Sequence, residues 1–218
     1  MIATSKDSAQ GQQNEFDFLL DLARNLEAIE AKIITSDKIV VEDRVVLKCK
    51  SGCHWYGHKF VCPPFTPTPD EFRKMLKEYE HVLIVRFRAE AEAEEDVGRS
   101  LLRNQFDPNI CLELKERTKQ FWDVWAEDKR RMHLKMLELE KAAFNRGYTL
   151  ALAFTPGSCS LCPKGCNIKS GTCAHLSMAR YPEHALGINI KKTLDNIGMS
   201  IKFPFEKNPE TVGVLLIE

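Results

Sequence analysis

The sequence predicts a single α/β or α+β domain: a mixed sheet of about five strands, flanking helices, and cysteine-bearing loops at strand ends. Three observations lead there. Apolar runs of strand character alternate with amphipathic helical stripes; no segment repeats at a fixed period; and seven of the eight cysteines fall into two short groups, each following a strand-like run.

Residues 1–13 are expected to be a disordered start, and 14–218 the domain. Leu19, Leu22, Leu26, Ile29 and Ile33 recur at three- and four-residue intervals, which predicts one amphipathic helix with that stripe in the core. Ile39 to Cys49 is dense in valine and reads as a strand delivering Cys49 to its end. The prolines of Cys62-Pro63-Pro64-Phe65-Thr66-Pro67-Thr68-Pro69 forbid a regular element, so a stiff loop is expected. Thr68 and Glu71 have capping-box spacing with Pro69 at the first helical position, which predicts a short helix to about Tyr79.

His81 to Arg88 reads as a second strand, and the acidic run Glu90 to Asp96 as a solvated turn or helix start. Asp107-Pro108 opens the longest helix; Leu114, Phe121, Trp125, Met132, Met136 and Leu139 carry its stripe and Gly147 ends it. Trp122 and Trp125 lie within that pattern and are read as packing residues. Tyr148 to Phe154 is a third strand-like run. Pro182 opens a helical turn, Asn189 caps a helix through Asn196, Gly198 ends it, and strands near Met199 to Phe203 and Val212 to Ile217 close the chain.

Lysine plus arginine equals aspartate plus glutamate at 31 each, so no global field favours nucleic acid or an anionic membrane. The stretch Thr4 to Asn14 is polar, and no apolar run approaches the roughly 18 residues of a membrane span, so the expected compartment is the cytoplasm. In a reducing compartment, clustered cysteines read as metal ligands rather than as a disulfide framework.

The second group is Cys159-x2-Cys162-Pro163-x2-Cys166-x6-Cys173, with Gly157, Gly165 and Gly171 spread through it. A cubane cluster needs four sulfur donors around one body, and a short glycine-bearing loop can wrap it. A four-cysteine zinc site is the competing reading, although zinc sites usually show two separated pairs. The first group, Cys49-x3-Cys53-His54-x3-His58-x3-Cys62, supplies three thiolates and two imidazoles. A three-cysteine cluster leaves one iron open to another ligand, solvent or a substrate. His54, His58, Cys111 or an exogenous group are the candidates for that position. The spacing of three then two used by radical enzymes that cleave adenosylmethionine is absent.

The two groups together, with Tyr56-Gly57 before Cys62-Pro63-Pro64, Gly157-Ser158 before Cys159, and the tail from Gly187-Ile188-Asn189 to Gly198-Met199, resemble a prokaryotic family of predicted metal-binding proteins, domain of unknown function 2284. The resemblance runs from about Leu47 to Glu218. It implies metal binding, as iron–sulfur clusters, in organisms that often live without oxygen, and brings no known reaction. The chain departs from the pattern at Ala174-His175-Leu176, which has no proline after the histidine, at Tyr181-Pro182-Glu183, where the family has a methionine-containing segment, and at His184, where it commonly has glutamate.

The expected function is an iron–sulfur redox protein with one or two [4Fe-4S] clusters on Cys49, Cys53, Cys62, Cys159, Cys162, Cys166 and Cys173, passing electrons to a partner protein. Two alternatives stand beside it: an enzyme whose three-cysteine cluster binds substrate or sulfur at an open iron, and a zinc-stabilised binding module. No Walker loop, dinucleotide fingerprint or nucleophile elbow is present.

Overall fold

A computed structural model describes residues 15–101, 107–162, 165–202 and 205–218. The expected disordered start, Pro163 and Phe203 lie outside them. Four strands form the sheet among the described residues: β1 (Glu30–Thr35), β2 (His81–Arg88), β3 (Leu152–Phe154) and β4 (Glu210–Ile217), in the order β1-β2-β4-β3. Every pairing is antiparallel, so the expected mixed sheet of about five strands is corrected to four antiparallel ones.

The central strands are apolar on both faces, as strands covered on both sides must be. Leu83, Val85 and Phe87 of β2 and Leu215 and Ile217 of β4 face helix α1 (Asp17–Asn25) and helix α5 (Leu112–Phe144). Their alternates, Val82, Ile84, Val212, Val214 and Leu216, face α3 (Pro69–Leu76), the turn at Glu183–Leu186 and α6 (Ile190–Asn196). Two apolar cores therefore sandwich the sheet.

The capping box at Thr68 and Glu71 forms as expected, with the Glu71 carboxylate 2.7 Å from the Thr68 N–H. The Asn189 side chain accepts from the Lys192 N–H at 3.1 Å and caps α6. The acidic run leads into α4 (Glu95–Ser100), with Ala89, Ala91 and Ala93 buried between its outward glutamates.

Three expected elements differ. The first helix ends at Asn25 because Glu27 turns left-handed (φ 64°) and the Ala28 N–H returns to the Ala23 carbonyl at 3.0 Å. Ile33 then belongs to β1, where it pairs with Leu83, and Ile29 precedes that strand. Ile39 to Cys49 is not a strand. It makes one isolated bridge, Val41 to Ile188, then a 3-10 turn at Asp43–Val46 and the short helix α2 (Leu47–Lys50). Glu42 is the reason: its carboxylate takes Arg44, Asn189 and Lys192, which ties the segment to α6 instead of a sheet edge and overrides valine's β propensity.

Met199 to Lys202 is also not a strand. The carbonyls near it are taken by cations from the sheet, Lys32 to Ile197 at 2.5 Å and Arg86 to Ser200, rather than by a ladder. Among the described residues no helix is long and apolar enough to cross a membrane.

Candidate metal centre

Cys49 sits on α2, and the chain from Cys53 to Phe65 is a run of reverse turns. Tyr56 N–H bonds to the Cys53 carbonyl at 3.1 Å, Cys62 N–H to the Lys59 carbonyl at 3.0 Å, and Phe65 N–H to the Cys62 carbonyl at 3.0 Å. Gly57, at φ 71°, donates to the Pro63 carbonyl at 2.8 Å and closes the loop on itself, a conformation glycine adopts without strain. The second group leaves the end of β3. Thr155 bridges to Pro182, and the loop's far side is clamped by α5: the Met178 carbonyl lies 2.7 Å from His133 Nε2, and Arg180 Nε 2.7 Å from Glu140 Oε2.

Both groups reach the end of the sheet where β3 finishes and β4 begins. The expected strand delivering Cys49 is corrected: the first group follows a 3-10 turn and α2, and only the second group follows a strand. Cys62 has Cys53, Cys49 and Cys159 among its electrostatic neighbours, so the two groups adjoin. Cys159 has Cys166 and Cys162 as neighbours, and Cys162 has Cys166 and Cys173. Cys49, Cys62 and Cys159 are buried, Cys162, Cys166 and Cys173 half-buried, and Cys53 exposed. Among the described residues no three Cys, His, Asp or Glu side chains converge on a single metal-ion position.

Burial pushes the Cys62 thiol up to about 12, against the pull of Lys59. Burial likewise raises Cys159 and Cys162. Metal-free, these groups are protonated at neutral pH, so a metal must displace protons to bind them. The His175 N–H points at Cys173 Sγ at 3.4 Å, a backbone donor to sulfur of the kind that tunes thiolate-bound metals.

Lys59 lies where the groups meet and is only 5 % exposed. Its ammonium donates to Ser158 Oγ at 3.2 Å and to the Cys159 carbonyl, and sits 3.7 Å from the Trp55 ring centroid. Cys159, Cys62, Cys166 and Cys162 are the titratable groups beside it; no carboxylate among the described residues pairs with it, and burial lowers its pKa. Sequence reading passed over Lys59, although a lone cation between His58 and Cys62 was the available signal.

His54 and His58 are exposed and stack on each other 6.0 Å apart, with His58 Nδ1 2.8 Å from the Tyr56 carbonyl. Cys111 stands exposed at the start of α5, outside both groups. The histidine whose ring reaches a motif cysteine is His184. Burial alone would lower its pKa, but hydrogen bonds with Cys49 and Glu183 outweigh that and raise it to about 10. Glu183 Oε1 lies 3.5 Å from His184 Nδ1. Sequence reading noted His184 only as a departure from a family pattern.

A cavity of about 420 Å³ opens beside Cys49, Cys53 and Cys62, walled across from them by Trp122, Trp125 and Lys129. Both tryptophans pack on Phe121 as expected, Trp125 with rings 6.2 Å apart and 17° from parallel and Trp122 edge-on at 5.6 Å, but Trp122 is also 42 % exposed.

A small body of antiparallel sheet between two helical layers, with seven thiols gathered at one sheet end, defines a candidate thiolate metal protein. The sequence profile of the family described as "Predicted metal-binding protein (DUF2284)" matches residues 32–217, and the chain belongs to that family. Comparisons with curated proteins and with solved structures find no match.

Proposed function

We propose that the chain is an iron–sulfur redox protein in which Cys159, Cys162, Cys166 and Cys173 hold one [4Fe-4S] cluster and Cys49, Cys53 and Cys62 hold a second, and that it passes electrons to a partner protein. The observation that carries this reading is Lys59. A buried ammonium without a carboxylate is costly, and so is a thiolate with no cation; protonated thiols around Lys59 leave the ammonium unanswered. Metal-bound thiolates supply the missing negative charge on both sides of it at once.

Such clusters take and release single electrons at potentials set by their surroundings. The chain's own contribution is to place the donors, to donate the His175 N–H to Cys173 and to hold the Lys59 charge between the groups. The cavity beside the three-thiol group favours a second reading, an enzyme that binds a small molecule at an open metal position.

The test is the iron, zinc and acid-labile sulfide content of protein purified without oxygen. About four or about eight of both iron and sulfide per chain is expected. Zinc without sulfide would overturn the reading in favour of a zinc-stabilised module. A serine at Cys159, Cys162, Cys166 or Cys173 should lower the iron content, and unchanged iron would remove that residue from the ligand set.

A further inference from the structure

We infer that the cavity between Trp122, Trp125, Lys129 and the Cys49, Cys53 and Cys62 thiols binds a small planar aromatic acid that also carries an O–H or N–H donor. This deepens the reading of the three-thiol group as an open metal centre, and rests on that reading for what the ligand lies against. Trp122, Trp125 and Lys129 are spaced three and four apart, so α5 presents them on one face, towards the thiols. A volume near 420 Å³ falls within the roughly 300–1,000 Å³ of small-molecule sites.

Three features select the ligand. The first is Lys129. Its ammonium has neither ion pair nor hydrogen bond among the described residues, and the like charge of Lys59 acts on it. Its stem rests against Gly157, where a Cβ would come within 3.3 Å of Cδ, so the chain leaves the side chain room to lie along the cavity wall. A half-buried lysine without an ion pair on the cavity wall calls for an anion.

The second is the aromatic wall. A tryptophan left 42 % exposed beside a cavity, with apolar Pro63, Pro156, Ile190 and Val212 also lining it, suits a flat ring better than an inorganic ion. The third is Glu183, which also lines the cavity. Its Oε2 is buried with no hydrogen-bond partner, while Oε1 turns to His184. A buried acceptor left unpaired is expensive, and a donor on the ligand would satisfy it. The other carboxylate at the cavity, Glu210, is already engaged by Arg86 at 3.5 Å.

The experiment is isothermal titration of anaerobically purified protein, with metal content measured on the same sample, using 4-hydroxybenzoate, benzoate and phenol as probes. One saturable site for 4-hydroxybenzoate is expected, with benzoate weaker and phenol weaker by at least about tenfold. Lys129→Met should bring 4-hydroxybenzoate and phenol to similar affinity, and Lys129→Arg should restore the preference. Iron-loaded protein that does not bind 4-hydroxybenzoate saturably, or a Lys129→Met protein that keeps its preference, overturns the inference and leaves the cluster reading intact. Saturable, Lys129-dependent binding to protein without iron or sulfide upholds the cavity and overturns the cluster reading instead.

Discussion

Lys59 and Ser158 are 99 positions apart in the chain, yet the ammonium of one donates to the hydroxyl of the other at 3.2 Å. That bond fastens the first thiol group to the second. It predicts different effects of one substitution in two states of the protein. In metal-free protein, Lys59→Met removes a buried charge that has no counter-ion together with its bonds to Ser158 and the Cys159 carbonyl, and the two offset each other to within about 1 kcal/mol. In metal-loaded protein it should instead weaken metal retention at both groups. Urea unfolding of the metal-free form, beside iron loss to a chelator from the loaded form, checks both halves.

Asp128 predicts a purely structural loss. Its side chain is 2 % exposed and accepts from the N–H groups of Glu90 at 3.1 Å and Ala91 at 2.8 Å and from Arg131 at 2.5 Å. Asp128→Ala leaves the two backbone N–H groups unpaired where α5 meets the chain leaving β2, while Arg131 keeps Glu90, at a cost of about 2–3 kcal/mol. Chemical denaturation should show it without a change in metal content, since the thiols lie elsewhere.

Gly213 in β4 predicts a steric loss with a rescue. A Cβ there would overlap the Met136 sulfur and come within 2.9 Å of its Cγ and Cε, and Met136 is fully buried. Gly213→Ala should destabilise by about 1–3 kcal/mol through overpacking. Adding Met136→Ala should then cost less than it does alone, and a double-mutant cycle measures that coupling.

Glu42 predicts an acid-side dependence. Hydrogen bonds from Arg44, then Lys192, then Asn189 hold its carboxyl down to about 2, below its ordinary 4.5. A folded-state value below the unfolded one stabilises the fold above pH 4.5, and that contribution is lost as pH falls towards 2. Glu42→Gln should therefore lower the melting temperature at pH 7, and the gap from the unchanged protein should close between those pH values.

Much of the framework was legible in the sequence because local signals and burial agree there. Thr68 with Glu71 capped α3, Asn189 capped α6, and the apolar runs of β2 and of Val212 to Ile217 could satisfy a two-faced sheet. What misled was periodicity that two structures share. Leu26, Ile29 and Ile33 fit a helix, yet Ile33 pairs with Leu83, because Glu27 breaks the turn before it. Ile39 to Cys49 looked like a strand, but the long-range partners of Glu42 decided otherwise. The thiols announced themselves by spacing. Lys129 and Glu183 did not, because a residue brought to a site by tertiary contact leaves no mark at its own position.

Among the described residues, the apolar cores on either side of the sheet contain no cysteine. On the proposed reading, then, the body closes without help from its cargo, and the chain is finished as a fold before it is finished as a metalloprotein. On that same reading, protein made without iron would stand as a whole but empty vessel, to be filled when the metal arrives.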